Sequence, residues 1–166
     1  MPILITIVFS LSAVSGAANA AVQPLSGSAR SLDYFVGSWK CSGVFPASGK
    51  SIASIMHYEA DLKGHALLKH HDDVAPSLYH AIEAWGYDAA AKRFNAAILD
   101  NSGGARRFSS EGWKRNELEW SSEMNVVPAQ RFSYTRLDEK SYRVDWKTAA
   151  NGTDFTVGDT LTCKRE

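Results

Sequence analysis

The sequence predicts an all-β fold, a single antiparallel up-and-down barrel of about ten strands with a short N-terminal helical turn. Three observations carry this. Almost everything after Gly37 divides into short stretches separated by turn residues, such as Pro46-Ala47-Ser48-Gly49, Lys63-Gly64 and Asn151-Gly152. The one helical candidate is brief, a turn over 31–35 with Ser31 as a possible N-cap, placed to plug one end. Third, Gly37-Ser38-Trp39-Lys40-Cys41 can lie antiparallel to Leu161-Thr162-Cys163-Lys164-Arg165. Cys41 then opposes Cys163 and Trp39 opposes Arg165, all on one face because strand side chains alternate with a period of two. A first strand paired with a last strand closes a sheet into a barrel.

The expected strands follow in order. The first runs over 37–45. The second covers 51–62, with Ile52, Met56, Tyr58, Ala60 and Leu62 on one face and His57, Glu59 and Asp61 on the other. The third, 65–73, puts Ala66, Leu68 and His70 on an apparent apolar face and leaves Lys69 and His71 on a wet one. Strands over 79–87 and 94–100 come next, the latter carrying Ala96, Ile98 and Asp100 on one face. A strand over 106–113 turns at Lys114-Arg115-Asn116 into 117–124, where Leu118, Trp120 and Met124 oppose Glu117, Glu119 and Glu123. Strands over 130–137 and 142–147 precede the last one, which sets Phe155, Val157, Asp159, Leu161 and Cys163 on one face. One polar and one apolar face per strand is the pattern of an antiparallel sheet wetted on one side.

Residues 1–20 read as a signal peptide: an apolar run from Ile3 to Phe9 fades into small residues and ends at Ala18-Asn19-Ala20. Its n-region has no Lys or Arg, and a buried N-terminal strand is the alternative. Residues 21–166 then form one barrel domain, exported to the periplasm or secreted. Eighteen Lys plus Arg balance eighteen Asp plus Glu, which argues against nucleic acid and against a polybasic membrane-surface role. The apolar run is also too short to span a bilayer comfortably.

Leu32-Asp33-Tyr34-Phe35-Val36-Gly37-Ser38-Trp39 resembles the Gly-x-Trp opening of the calycin superfamily, which includes lipocalins, fatty-acid-binding proteins and nitrobindin-like barrels. Gly86-Tyr87-Asp88, Phe94 and Ser110-Glu111-Gly112-Trp113 resemble a group of exported bacterial domains of unknown function, lipocalin-like in outline. The resemblance implies a barrel whose closed end is marked by Trp39 against Arg165, and it implies no reaction. Nitrobindin-like barrels bind haem through a His in their C-terminal part, and this chain has no His after His80.

Two cysteines in an exported protein point to a Cys41–Cys163 disulfide, with a reduced buried pair as the alternative. Four polar residues on apolar faces are candidate ligand contacts: His70, Asp100, Arg136 and Asp159. They would otherwise lie at strand ends, touching water or neutralising one another. Trp85, Trp120, Tyr134 and Trp146 fill the core or line a pocket. If Asp73 pairs with Leu78, His71 faces His80 and a zinc site becomes conceivable, although a one-residue slip separates them. No nucleophile elbow, phosphate loop or metalloprotease motif is present.

The expected function is therefore exported binding of a small apolar molecule, with no catalytic residue, cofactor or metal. The alternatives are a filled barrel acting as an interaction or inhibitor module through loops 74–77 and 101–105, and a haem- or metal-binding nitrobindin-like barrel.

Overall fold

The computed structural model describes residues 24–166, so the expected leader and its cleavage site lie outside the described residues. A 3-10 turn, Gly27–Phe35, precedes eleven strands. These are β1 (Gly37–Phe45), β2 (Lys50–Asp61), β3 (Ala66–Asp73), β4 (His80–Asp88), β5 (Arg93–Asp100) and β6 (Ala105–Ser110), then β7 (Trp113–Lys114), β8 (Glu117–Ser122), β9 (Ala129–Arg136), β10 (Ser141–Ala149) and β11 (Thr156–Arg165). Sequential neighbours pair antiparallel except β6 and β7, β1 pairs with β11, and β6 pairs with β8. Ten strands close the barrel, with the two-residue β7 as a side hairpin on β8.

Closure follows the register expected from the termini. Cys41 opposes Cys163 and Trp39 opposes Arg165. The cysteines form a disulfide with their Cα atoms 3.9 Å apart. The Arg165 guanidinium lies 4.2 Å from the Trp39 ring centroid and donates to the carbonyls of Tyr34 and Val36. Gly43 is needed on this seam, since a Cβ there would fall 1.7 Å from the Thr160 carbonyl oxygen.

The 3-10 turn seals this end. Leu25, Ala29, Leu32 and Phe35 are buried, and Phe35 is the hub. Its ring stacks on Tyr58 and Trp113 and meets Trp85, Tyr134 and Tyr142 edge-on, with every centroid within 5.5 Å. Trp39 donates its indole N–H to the Phe35 carbonyl at 2.7 Å, tying the plug to β1.

Five strands depart from the expected pattern. β2 ends at Asp61, which leaves Leu62 exposed rather than on the face of Met56 and Tyr58, and the faces of β3 are inverted. The stretch expected as one strand over 106–113 breaks at Gly112, whose φ of +88° turns the chain out of β6. The Ser110 hydroxyl accepts the Gly112 N–H at 3.1 Å, and Trp113 swings onto the plug. β8 stops at Ser122, so Met124 is almost fully exposed rather than on the face of Leu118 and Trp120. In β11 the ladder shifts opposite Trp146 and Lys147, leaving Gly158 as the extra residue of a bulge. Asp159, Leu161 and Cys163 therefore share the inner face, whereas Val157 is exposed.

Outward positions carry Lys40, Glu59, Arg93, Arg107, Glu119 and Arg143, all exposed. Such a face meets water rather than lipid. No helix among the described residues is long and apolar enough to cross a membrane.

The disulfide closes a loop of 122 residues, so chain-entropy reasoning gives it about 5 kcal/mol. The double variant Cys41→Ala/Cys163→Ala is expected to lose stability on that scale in urea denaturation, and reduction of the parent should give the same loss. A loss under about 1 kcal/mol would mean that the ladder alone holds the termini together.

Candidate functional site

The end opposite the plug is where loops 46–49, 74–79, 101–104, 123–128 and 150–155 gather. Beneath them lies a cavity of about 220 Å³. Apolar walls come from Phe45, Ile52, Met56, Phe132, Val144, Trp146 and Leu161, while Lys69, His71, Asp73, Tyr79, Glu83, Arg106, Tyr134 and Asp159 supply polar groups.

Its floor is an ion pair. Lys69 and Glu83 are directly opposed on β3 and β4, with Nζ and Oε1 2.7 Å apart. They are only 2% and 4% exposed, which makes the pair a buried one. Lys69 also donates to the Tyr134 hydroxyl at 3.3 Å, and the Trp85 indole N–H donates to Glu83 Oε2 at 2.9 Å. Burial alone would push the Glu83 carboxyl up, but the Lys69 ammonium outweighs it and holds Glu83 below its ordinary value. The rings of Tyr58, Trp85 and Tyr134 surround the ammonium at 5.7–5.9 Å.

Above the floor, His71 donates from Nε2 to Asp73 Oδ1 at 3.1 Å, and Ser54 and Ser77 donate to the same carboxylate at 2.6 and 2.5 Å. Burial lowers the His71 value, more than its Asp73 hydrogen bond raises it. For Asp73 the balance reverses: burial raises it, yet the donors from His71, Ser54 and Ser77 bring it below the usual range. Beside them, Arg106 donates to the hydroxyl of Tyr79, whose ring packs edge-on against His71, at 2.6 Å, to Asp100 at 3.0 Å and to Gln130 at 3.2 Å. Burial pushes the Tyr79 phenol up to about 12.

Asp159 differs from all of these, since it makes no side-chain hydrogen bond among the described residues. Burial raises its carboxyl to about 6, and the charges of Asp73 and Asp145 push the same way. It pairs across the ladder with Trp146, whose indole N–H is buried without a partner.

Of the residues singled out from sequence, Asp159, Tyr134 and Trp146 line the cavity. Asp100 ends β5 on the inner face and anchors Arg106, which lines it. Trp85 and Trp120 lie deeper, buried, with ring centroids 5.0 Å apart. Arg136 faces inward at the closed end, 3.9 Å over Tyr34 and 4.7 Å over Trp113. Trp39, Arg165, Cys41 and Cys163 lie together on the closing seam.

The inferred faces of β3 are inverted. Leu67, Lys69 and Asp73 are buried and His71 lines the cavity, whereas His70 points out opposite His57. The zinc geometry fails for the same reason, as His71 opposes Ala81 and the exposed His80 bonds Asp72 at 2.8 Å. Lys69 and Glu83 were therefore absent from the expected site. Strict alternation in β4 holds the clue, because Glu83 shares a face with Trp85 and a buried carboxylate demands a cation beside it.

Compared with models of known families the chain matches none, and no curated protein matches its sequence.

Two predictions follow from the interior charges. Lys69→Met strands a buried carboxylate and should cost about 3–5 kcal/mol in urea denaturation, while Lys69→Met/Glu83→Leu should recover most of it. A double variant as unstable as the single one would show that the pair itself carries net stability. For Asp159 the sign is opposite to that of Asp73 and Glu83. Its folded-state value is raised above the unfolded one, so the penalty is absent below about pH 4 and complete above about pH 6. Asp159→Asn should thus be the more stable protein at pH 7.5, by about 3 kcal/mol at most, and match the parent at pH 4 in thermal melts.

Proposed function

We propose that this barrel is an exported binding protein that holds a small, largely apolar molecule in the cavity at its open end. The observation that carries the reading is the division of the interior. One half is filled by the Phe35 cluster, and the other holds about 220 Å³ between apolar walls and a polar floor. Pockets of this kind, mostly apolar with a few fixed polar groups, are the usual form of small-molecule sites. The disulfide and the charged outer surface suit an oxidising aqueous compartment.

Size narrows the ligand. A dry cavity of about 150 Å³ accepts benzene, so this one suits a one-ring molecule with a short substituent rather than a retinoid or a long-chain fatty acid. Apart from Asp159, the charged groups of the interior are already paired with one another, which favours binding over chemistry. Lys69 is held by Glu83, His71 by Asp73, and Arg106 by Asp100.

Thermal-shift and calorimetric titrations with a panel of one-ring compounds test this. At least one should raise the melting temperature and bind with 1:1 stoichiometry. Val144→Phe, which puts a ring into the cavity, should abolish that binding while leaving the fold intact. Absence of binding by any one-ring compound, or undiminished binding in the filled variant, would contradict the proposal.

A further inference from the structure

The cavity's charges are unevenly matched. Both cations are paired within the protein, Lys69 with Glu83 and Tyr134, and Arg106 through its two terminal nitrogens with Asp100, Tyr79 and Gln130, its Nε alone being buried without a partner. Asp73 accepts from three donors. Asp145, next to Asp159 on the neighbouring strand, is held by Thr160 at 2.6 Å and Arg143 at 3.4 Å. Asp159 alone among the cavity's charged groups has no protein partner among the described residues.

Its neighbours are aromatic on both sides. On β10 it pairs directly with Trp146, which pairs in turn with Phe132 on β9. On β1, Phe45 lies one step beyond the Val44–Thr160 rung and so flanks Asp159 from the other side. Phe45, Asp159, Trp146 and Phe132 thus form one belt across four strands, and all four line the cavity. The β11 bulge sets this belt. A Cβ on Gly158 would fall 2.5 Å from Trp146 Cε3, so the indole packs against bare backbone beside the carboxylate.

A carboxylate flanked by aromatic residues attracts an organic cation twice, through its charge and through the ring quadrupoles. An anion there would meet Asp159, Asp73 and Glu83. We propose that the ligand is a small organic cation, a protonated or quaternary amine on a single ring, with Asp159 as its counter-ion. This rests on the cavity being a binding site.

The test uses four one-ring probes by calorimetry at pH 7.5: benzyltrimethylammonium, benzylamine, benzyl alcohol and phenylacetate. Both cations should bind about tenfold or more tighter than benzyl alcohol, with phenylacetate weakest. Asp159→Asn should erase the preference for cations, bringing benzyltrimethylammonium and benzylamine down to the level of benzyl alcohol. On the parent protein, lowering the pH to 5 should weaken benzyltrimethylammonium, which keeps its charge throughout.

The groups around Asp159 are Lys69, His71 and Asp73 on β3, Glu83 on β4, Arg106 on β6 and Asp145 on β10. The Asp73 and Glu83 carboxyls are held below the usual carboxylate range, so His71 is the other cavity group to test for a proton gained between pH 7.5 and 5. His71→Gln should therefore keep the pH dependence and Asp159→Asn should lose it. Benzyl alcohol or phenylacetate binding as tightly as the cations would overturn the cation assignment and leave the binding cavity standing. If no probe binds, the cavity reading falls and this inference with it.

Discussion

Lys69 and Glu83 face each other across β3 and β4, 2.7 Å apart and almost wholly removed from water. Taking either charge into the barrel alone would be prohibitive, so each fixes the position of the other. The pair also fixes what lies on either side of it. Toward the plug, Trp85 donates to Glu83 and packs on Phe35 and Tyr134, which leaves that half of the interior filled. Toward the open end the same two side chains form a polar floor, and the volume above them stays unfilled.

The rest of the fold holds this arrangement in register. Trp39, Arg165 and the disulfide join the first and last strands at the closed end, where the Arg165 guanidinium reaches back to the plug. The β6–β8 seam is slighter, with Phe108 opposite Ser122 and Ser109 opposite Ser121. Gly112 explains why: it diverts the chain into β7 before more of the ladder can form. The Phe108–Phe132 ring contact supports the seam from inside, so the wall of the cavity also helps to close the barrel.

Much of this was legible in the sequence. The cysteines, Trp39 and Arg165 specify one terminal alignment, and β2 as far as Ala60 and β5 alternate cleanly, so the fold and those faces could be read directly. β3 could not, because Ala66, Leu67 and Leu68 are all apolar and the alternation has no visible phase. A shift of one residue turned Lys69 outward on paper and hid the ion pair, and with it half of the candidate site. β11 failed differently: a strand glycine marks a bulge, and Gly158 moved Val157 to the surface while keeping Asp159 inside. Asp159 was legible as a polar residue on an apolar face, but its lack of a partner was not. That depends on how Arg106 and Lys69, from other strands, are already paired with Asp100 and Glu83.

The proposed uptake of a small molecule above the ion pair can be observed directly. Methyl NMR of protein labelled at the methionine ε-carbon tests it inside the molecule. Met56 lines the cavity, whereas Met124 is 99% exposed and reports on the surface. Titration with a one-ring amine should shift the Met56 methyl resonance saturably and leave Met124 unmoved. A Met56 signal that stays fixed while the amine saturates the protein, or shifts confined to Met124, would place any binding outside the barrel and contradict the account.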